Sequence, residues 1–208
     1  LERGVFKLQK RIYQASRKGE TKTVHRLQRL ILTSTSAKLI AVRKVTQDNR
    51  GKKTAGVDGK TALNATERMK LAEHLEMDSK SKPVRRVWIP KPGKDEKRPL
   101  GIPTIADRAK QALVKMAMEP EWEARFEPNS YGFRPGRSCH DAVEAVYGAI
   151  RNKNAHVLDA DIKGCFDNIS HDALLEKLDT TPTMKRAIKG WMKAGAMEGD
   201  VFREVESG

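Results

Sequence analysis

Two carboxylates, Asp159 and Asp161, lie two residues apart in the run Val157-Leu158-Asp159-Ala160-Asp161-Ile162, which ends in the corner Lys163-Gly164-Cys165-Phe166-Asp167. In an extended strand alternate side chains share a face. Leu158, Ala160 and Ile162 can therefore meet a core while Asp159 and Asp161 project together from the other side. Carboxylates fixed on a rigid strand are what phosphoryl transfer by metal ions needs. Two solvated carboxylates at a strand end would carry the same pattern, so the chemistry must be argued from the rest of the chain.

Two further groups bear on phosphate. Val84 to Ile89 and Pro99 to Ile102 read as strands of a hairpin across a Lys91 to Lys97 loop, which offers Lys91, Lys94, Lys97 and Arg98. Cations at the base of such a loop can clamp a triphosphate and neutralise charge on a leaving pyrophosphate, although a solvated hairpin tip has the same composition. The loop Tyr131-Gly132-Phe133-Arg134-Pro135-Gly136-Arg137 mixes aromatics, glycines and two arginines. Arginine meets phosphate, and glycine lets the backbone come close. Tyr131 and Phe133 suit either a base or a packed corner equally. Arg134 and Arg137 are the stronger candidates for nucleic acid.

The elements that must hold these groups are mostly helical. The 208 residues carry 41 Lys+Arg against 27 Asp+Glu, a formal charge of +14. Residues 1–53 hold 15 Lys+Arg and 3 Asp+Glu, so nearly all of the excess lies in the first quarter. An excess confined to one helical stretch points to phosphate binding rather than to solubility. Val5, Leu8 and Ile12 recur at helical spacing, as do Val24, Leu27 and Ile31, with a break at Gly19. Their stripes should pack and leave a wet basic face that includes Lys10, Arg11, Arg26 and Arg29. Gln47 to Gly59 and Asp78 to Pro83 read as connecting loops.

Thr104 with Asp107 predicts a capped helix lined by Ala109, Leu113, Met116 and Ala117, and Glu119-Pro120 predicts the start of a further piece. Ser138 with Asp141 predicts another cap, ahead of Val143, Val146 and Ile150. Cys139, His140 and Asp141 are neighbours on that helix and point apart, which argues against a nucleophilic or metal cluster. Asp167 and Asn168 are expected to cap a later helix, with a structural His171 on its first turn. Cys139 and Cys165 make no disulfide framework and are expected as buried thiols. No apolar run approaches the roughly 18 residues of a membrane span, and no signal-peptide core follows the basic start. A soluble, intracellular chain is expected.

Five blocks occur in one order: Thr54-Ala55-Gly56-Val57-Asp58-Gly59; Arg85-Arg86-Val87-Trp88-Ile89-Pro90-Lys91-Pro92-Gly93; Arg98-Pro99-Leu100-Gly101-Ile102-Pro103-Thr104-Ile105-Ala106-Asp107-Arg108; Asn129-Ser130-Tyr131-Gly132-Phe133-Arg134-Pro135-Gly136-Arg137-Ser138; and the Asp161 run. In this order the chain resembles the group II intron-encoded reverse transcriptases, or maturases. The resemblance implies an α+β fold, the fingers and partial palm of a right-hand polymerase, helix-rich with a fingers β-hairpin and a short palm sheet. It divides the chain into a basic helical N-terminal extension (1–53), fingers with the start of the palm (54–155) and a partial palm (156–208).

By the same resemblance Asp161 is the catalytic metal ligand, and the Ile162 carbonyl lies beside a second ion. Lys91 and Arg98, seven residues apart, hold the triphosphate, and Phe166 excludes a ribose 2′-hydroxyl. The block around Arg134 and Arg137 lies near the template and the nascent pair. An extension placed like residues 1–53 contacts intron RNA. Mg²⁺ is the implied cofactor. The implied partners are intron RNA and RNA template, DNA primer or target, and deoxynucleoside triphosphates, and a homodimer is compatible with it. The implied location is the cytoplasm of a prokaryotic cell or an organelle of prokaryotic origin. The family's aromatic-Ala-Asp-Asp motif and the Gln-Gly block before it have no match here, and the chain starts at Leu1, so it reads as a fragment whose palm is cut short. Taken alone it would then be an RNA-binding module without polymerisation. A reverse transcriptase of another lineage, CRISPR-associated or diversity-generating, is the remaining alternative.

Overall fold

The computed structural model describes residues 1–152 and 154–205; the last three positions of the expected partial palm lie outside the described residues. Among the described residues, eight α-helices and four strands run in the order α1 (Glu2–Arg17), α2 (Thr21–Thr33), α3 (Thr35–Arg43), α4 (Ala65–Glu73), β1 (Val84–Pro90), β2 (Lys97–Ile102), α5 (Ile105–Glu123), α6 (Cys139–Ile150), α7 (His171–Lys177), α8 (Pro182–Met192), β3 (Ala196–Glu198) and β4 (Val201–Arg203). Gly19, with φ +71, makes the expected break between α1 and α2.

The basic helices are not a separate arm. Val5 and Ile12 of α1 and Val24, Leu27 and Ile31 of α2 share one core with Leu113 and Ala117 of α5 and Met184 of α8. Each amphipathic stripe is too short to be stable alone, and burial against its neighbours supplies what propensity does not. Polar groups register this packing. Pro120 lies inside α5, where the expected break does not occur. A proline there removes the N–H that would have bonded the carbonyl four residues earlier, Met116. Gln9 Nε2 of α1 donates to that Met116 oxygen at 3.0 Å. Nearby, fully buried Gln28 of α2 donates to Glu121 Oε2 at 2.6 Å, and Arg125 pairs with Glu121 Oε1 at 2.7 Å. The N-terminal helices thus supply partners that α5 needs.

The caps follow the sequence in two of three places. Thr104 Oγ1 accepts from the Asp107 amide, and Ser138 and Asp141 form a reciprocal capping box. At α7 the cap is Ser170, whose side chain accepts from the Ala173 amide; Asp167 and Asn168 lie in a short 3-10 turn three residues earlier. The hydroxyl adjacent to the first helical residue takes the cap position. Both cysteines are exposed rather than buried, because the helix and corner that carry them pack against little.

The sheet has the order β2-β1-β3-β4. β1 and β2 form the expected antiparallel hairpin, while β3 runs parallel to β1 through Val84↔Ala196 and Arg85↔Met197. The expected strand at Val157 to Ile162 is not formed. That segment has no regular secondary structure and no paired neighbour among the described residues, and Leu158 is 91% exposed. A strand needs a ladder, and alternation alone does not provide one.

Candidate nucleotide and nucleic-acid site

The hairpin register decides where its cations point. Ile89 faces Arg98 across the ladder, Pro90 faces Lys97, and two residues beyond Ile89 toward the turn Lys91 stands opposite Glu96, with the Lys91 amide bonded to the Glu96 carbonyl at 2.9 Å. Directly opposed residues share a face and so do positions two apart, so Lys91 and Arg98 lie on one face of the hairpin. Lys97 lies on the other. Lys91 Nζ is 2.6 Å from Glu96 Oε2, and this bond holds the Glu96 carboxyl below its ordinary range. Arg98 is exposed.

Behind the hairpin, the Thr54–Gly59 block is fixed by two arginines that the motif reading passed over. Arg85 Nε of β1 donates to the Ala55 carbonyl at 2.9 Å. Arg108 of α5 donates to Gly51 O at 2.9 Å and Thr54 O at 2.6 Å, and burial pulls its guanidinium below the ordinary value while Asp58 opposes that shift. Gly56 is buried so closely on Thr104 that a β-carbon there would stand 2.8 Å from the Thr104 Cα. Their positions inside two blocks of the sequence were the available signal.

The loop after α5 separates its two arginines. Arg134 is buried: Nε and Nη2 reach the Glu123 carboxylate at 2.9 and 2.6 Å, and Nη1 donates to Glu127 O and Ser130 O. The pair raises the Arg134 value and lowers that of Glu123. Arg134, expected near the template, is thus a guanidinium engaged on three sides with little left for phosphate. Arg137 is half-buried, spends one donor on Pro128 O and lies over the Tyr131 ring at 5.4 Å. Phe133 stands 96% exposed and meets Phe166 edge to face, with centroids 6.5 Å apart.

Asp159, Asp161, Ile162 and Phe166 are all exposed on the unpaired segment and its corner. Among the described residues no three His, Cys, Asp or Glu side chains converge on a point that could hold a metal ion. Asp161 offers one carboxylate, and the residues present do not by themselves complete an ion site. Lys10, Arg11, Arg26 and Arg29 are exposed, as the stripes of α1 and α2 require. The structure thus places Lys91 and Arg98 on one face of the hairpin, sets Phe166 against Phe133, and leaves the cations of α1 and α2 exposed.

Residues 89–207 match the family described as reverse transcriptase (RNA-dependent DNA polymerase), and residues 1–75 match the N-terminal domain of reverse transcriptase. The chain belongs to the reverse transcriptase family. It is similar to maturase-like protein 1 of Euglena gracilis, 33% identical over 206 residues, which covers 92% of this chain and 43% of that protein. It is 35% identical to protein YkfC of Escherichia coli over 197 residues, 88% of this chain and 51% of the relative. Group II intron-encoded protein LtrA of Lactococcus lactis is 36% identical over 169 residues, 77% of this chain and 28% of LtrA. The chain therefore spans about half or less of the curated relatives that it matches. Reverse transcriptases are generally divalent-metal dependent. Among the described residues of this reverse transcriptase chain, no helix is long and apolar enough to cross a membrane.

Proposed function

We propose that the chain supplies the fingers and the first part of the palm of a group II intron reverse transcriptase, an RNA-directed DNA polymerase that also binds its intron RNA to assist splicing and mobility. The observation that carries this reading is the shared face of Lys91 and Arg98 on the hairpin. Two cations so placed grip a deoxynucleoside triphosphate from one side and offset charge developing on its pyrophosphate. Glu96 keeps Lys91 ordered until a triphosphate competes for it. Asp161 would contribute one carboxylate toward Mg²⁺, and the ion would supply charge neutralisation at the attacking and leaving oxygens. Phe166 lies under the sugar, and its ring volume excludes a 2′-hydroxyl.

Intron RNA and RNA template lie along the exposed cations Lys10, Arg11, Arg26 and Arg29, with Arg137 near the template and the nascent pair. Because the described residues do not complete an ion site, a second reading fits this stretch on its own: an RNA-binding module that does not polymerise.

RNA-templated DNA primer extension with Mg²⁺ separates the two, using this 208-residue chain, the whole protein that contains it, and that protein with Asp161→Ala. Extension by the whole protein and its loss in Asp161→Ala are expected. Extension unaffected by Asp161→Ala would remove that residue from the site. Phe166→Ala in the whole protein should raise ribonucleotide incorporation about tenfold or more relative to deoxynucleotide, a difference of roughly 1.4 kcal/mol. An unchanged ratio removes the steric role.

A further inference from the structure

Phe133 combines three properties that packing alone does not explain. It is the most exposed of the large apolar side chains, at 96%. Its backbone has φ +59, a left-handed conformation that a bulky side chain adopts only where its surroundings impose it. Those surroundings are rigid: the next residue, Arg134, is buried and tied to Glu123, Glu127 and Ser130, and its guanidinium lies 5.4 Å from the Phe126 ring centroid. A floppy loop would relieve the strain and fold the ring away. This loop holds it out.

We propose that Phe133 is a base-supporting residue, whose ring, braced edge to face against Phe166, stacks on the nascent base pair. The inference rests on the polymerase reading, in which Phe166 lies under the sugar of the incoming nucleotide. A ring with its centroid 6.5 Å from that of Phe166 and nearly perpendicular to it, at 88°, is within one nucleotide's reach of the same pocket. Phenylalanine has no hydrogen-bonding group, so it reads no base identity and offers only a π surface, which every base can use. One residue would thus face the sugar and its neighbour the base. Strain held beside a site is a means of having a group in place before the ligand arrives.

The test is a fluorescence titration of the whole protein that contains this chain with an RNA template annealed to a DNA primer, the template carrying 2-aminopurine at its first unpaired position. A second template has the probe six positions further on. The protein should quench the first probe and leave the second unaltered. Phe133→Ala should abolish the quench and weaken binding about tenfold, while Phe133→Trp keeps both. Phe133→Gly should also lose the quench and yet unfold no more easily than the unaltered protein, because glycine accepts φ +59, so the loss cannot come from misfolding. If the protein binds and either fails to quench or quenches equally well as Phe133→Ala, the assignment of Phe133 falls and the polymerase reading stands. If the unaltered protein does not bind the primer–template at all, both fall.

Discussion

α2 and α6 share an apolar spacing and are opposite in circumstance. α2 places Val24, Leu27 and Ile31 at helical spacing and buries all three at 1% exposure or less. α6 does the same with Val143, Val146 and Ile150 and adds Tyr147, yet every one of these is exposed, and no residue of α6 is buried. The pattern of a helix states which face is apolar. It does not state what will cover that face, which is a property of topology. The packed region, α1–α5 with α8, has a shared core and buried polar links, whereas the region of α6 and the Asp161 segment is held by caps and turns. The groups proposed to touch the incoming nucleotide lie on this second region and on the hairpin.

The sharpest way to break that comparison is to make one change in both regions. Ile31→Ala removes a fully buried side chain from the shared core and should cost about 3 kcal/mol, the middle of the range for such cavities. Ile150→Ala on α6, which is 41% exposed, should cost under about 1 kcal/mol. Urea unfolding followed by circular dichroism reads both. A loss at Ile150 as large as that at Ile31 would mean that α6 is packed in solution and that the contrast is false.

The packed region also carries the charge, so the comparison can be sharpened through salt. Changing Lys10, Arg11, Arg26 and Arg29 to alanine leaves every core residue in place. If each meets one phosphate, the slope of log affinity for intron RNA against log salt should fall by about 3, with affinity at moderate salt reduced about tenfold or more. A slope that does not move would leave these exposed cations as a solvated face. Deleting residues 1–53 would be a poorer test, because it would open the core against α5 and remove the partner of Met116.

What the sequence made legible follows the range of the interactions. The stripes of α1 and α2, the Gly19 break, the Thr104 and Ser138 caps and the β1–β2 hairpin are local, each decided within a few residues, and each appears. Apart from the α7 cap, where Ser170 stands in place of Asp167 and Asn168, the misses are long-range. Pro120 fails to break α5 because Gln9, over a hundred residues earlier, takes the freed carbonyl. The Asp161 run has the right alternation for a strand but no partner among the described residues. Arg134 reads as a phosphate ligand until Glu123 is seen to hold it. Within the candidate site, residue types pointed to phosphate and base as chemistry, but which arginine is engaged and which aromatic is out in solvent depended on contacts that no spacing reveals.

Arg134 and Glu123 join the two regions, and their pairing gives the smallest expected effect. Glu123 ends α5 in the packed region, and Arg134 anchors the loop that leads to α6. The hydrogen bond from Arg134 lowers the Glu123 carboxyl in the folded chain. A lowered folded value means that the stabilisation is present above the unfolded carboxyl range and is lost as pH falls through the folded value. The loop from Ser130 to Arg137 should therefore loosen on acidification below about pH 4, the region where a free glutamate titrates, while the core of α1, α2 and α5 stays closed. Hydrogen exchange should show faster exchange at these loop amides, beyond the intrinsic pH dependence, and none at Ile31 or Leu113. Glu123→Gln should loosen the loop at neutral pH and flatten its response to acid. If instead loop and core opened together at the same pH, Glu123 and Arg134 would belong to the packed region, and the boundary between a firm scaffold and a lightly held site would have to move beyond Arg134.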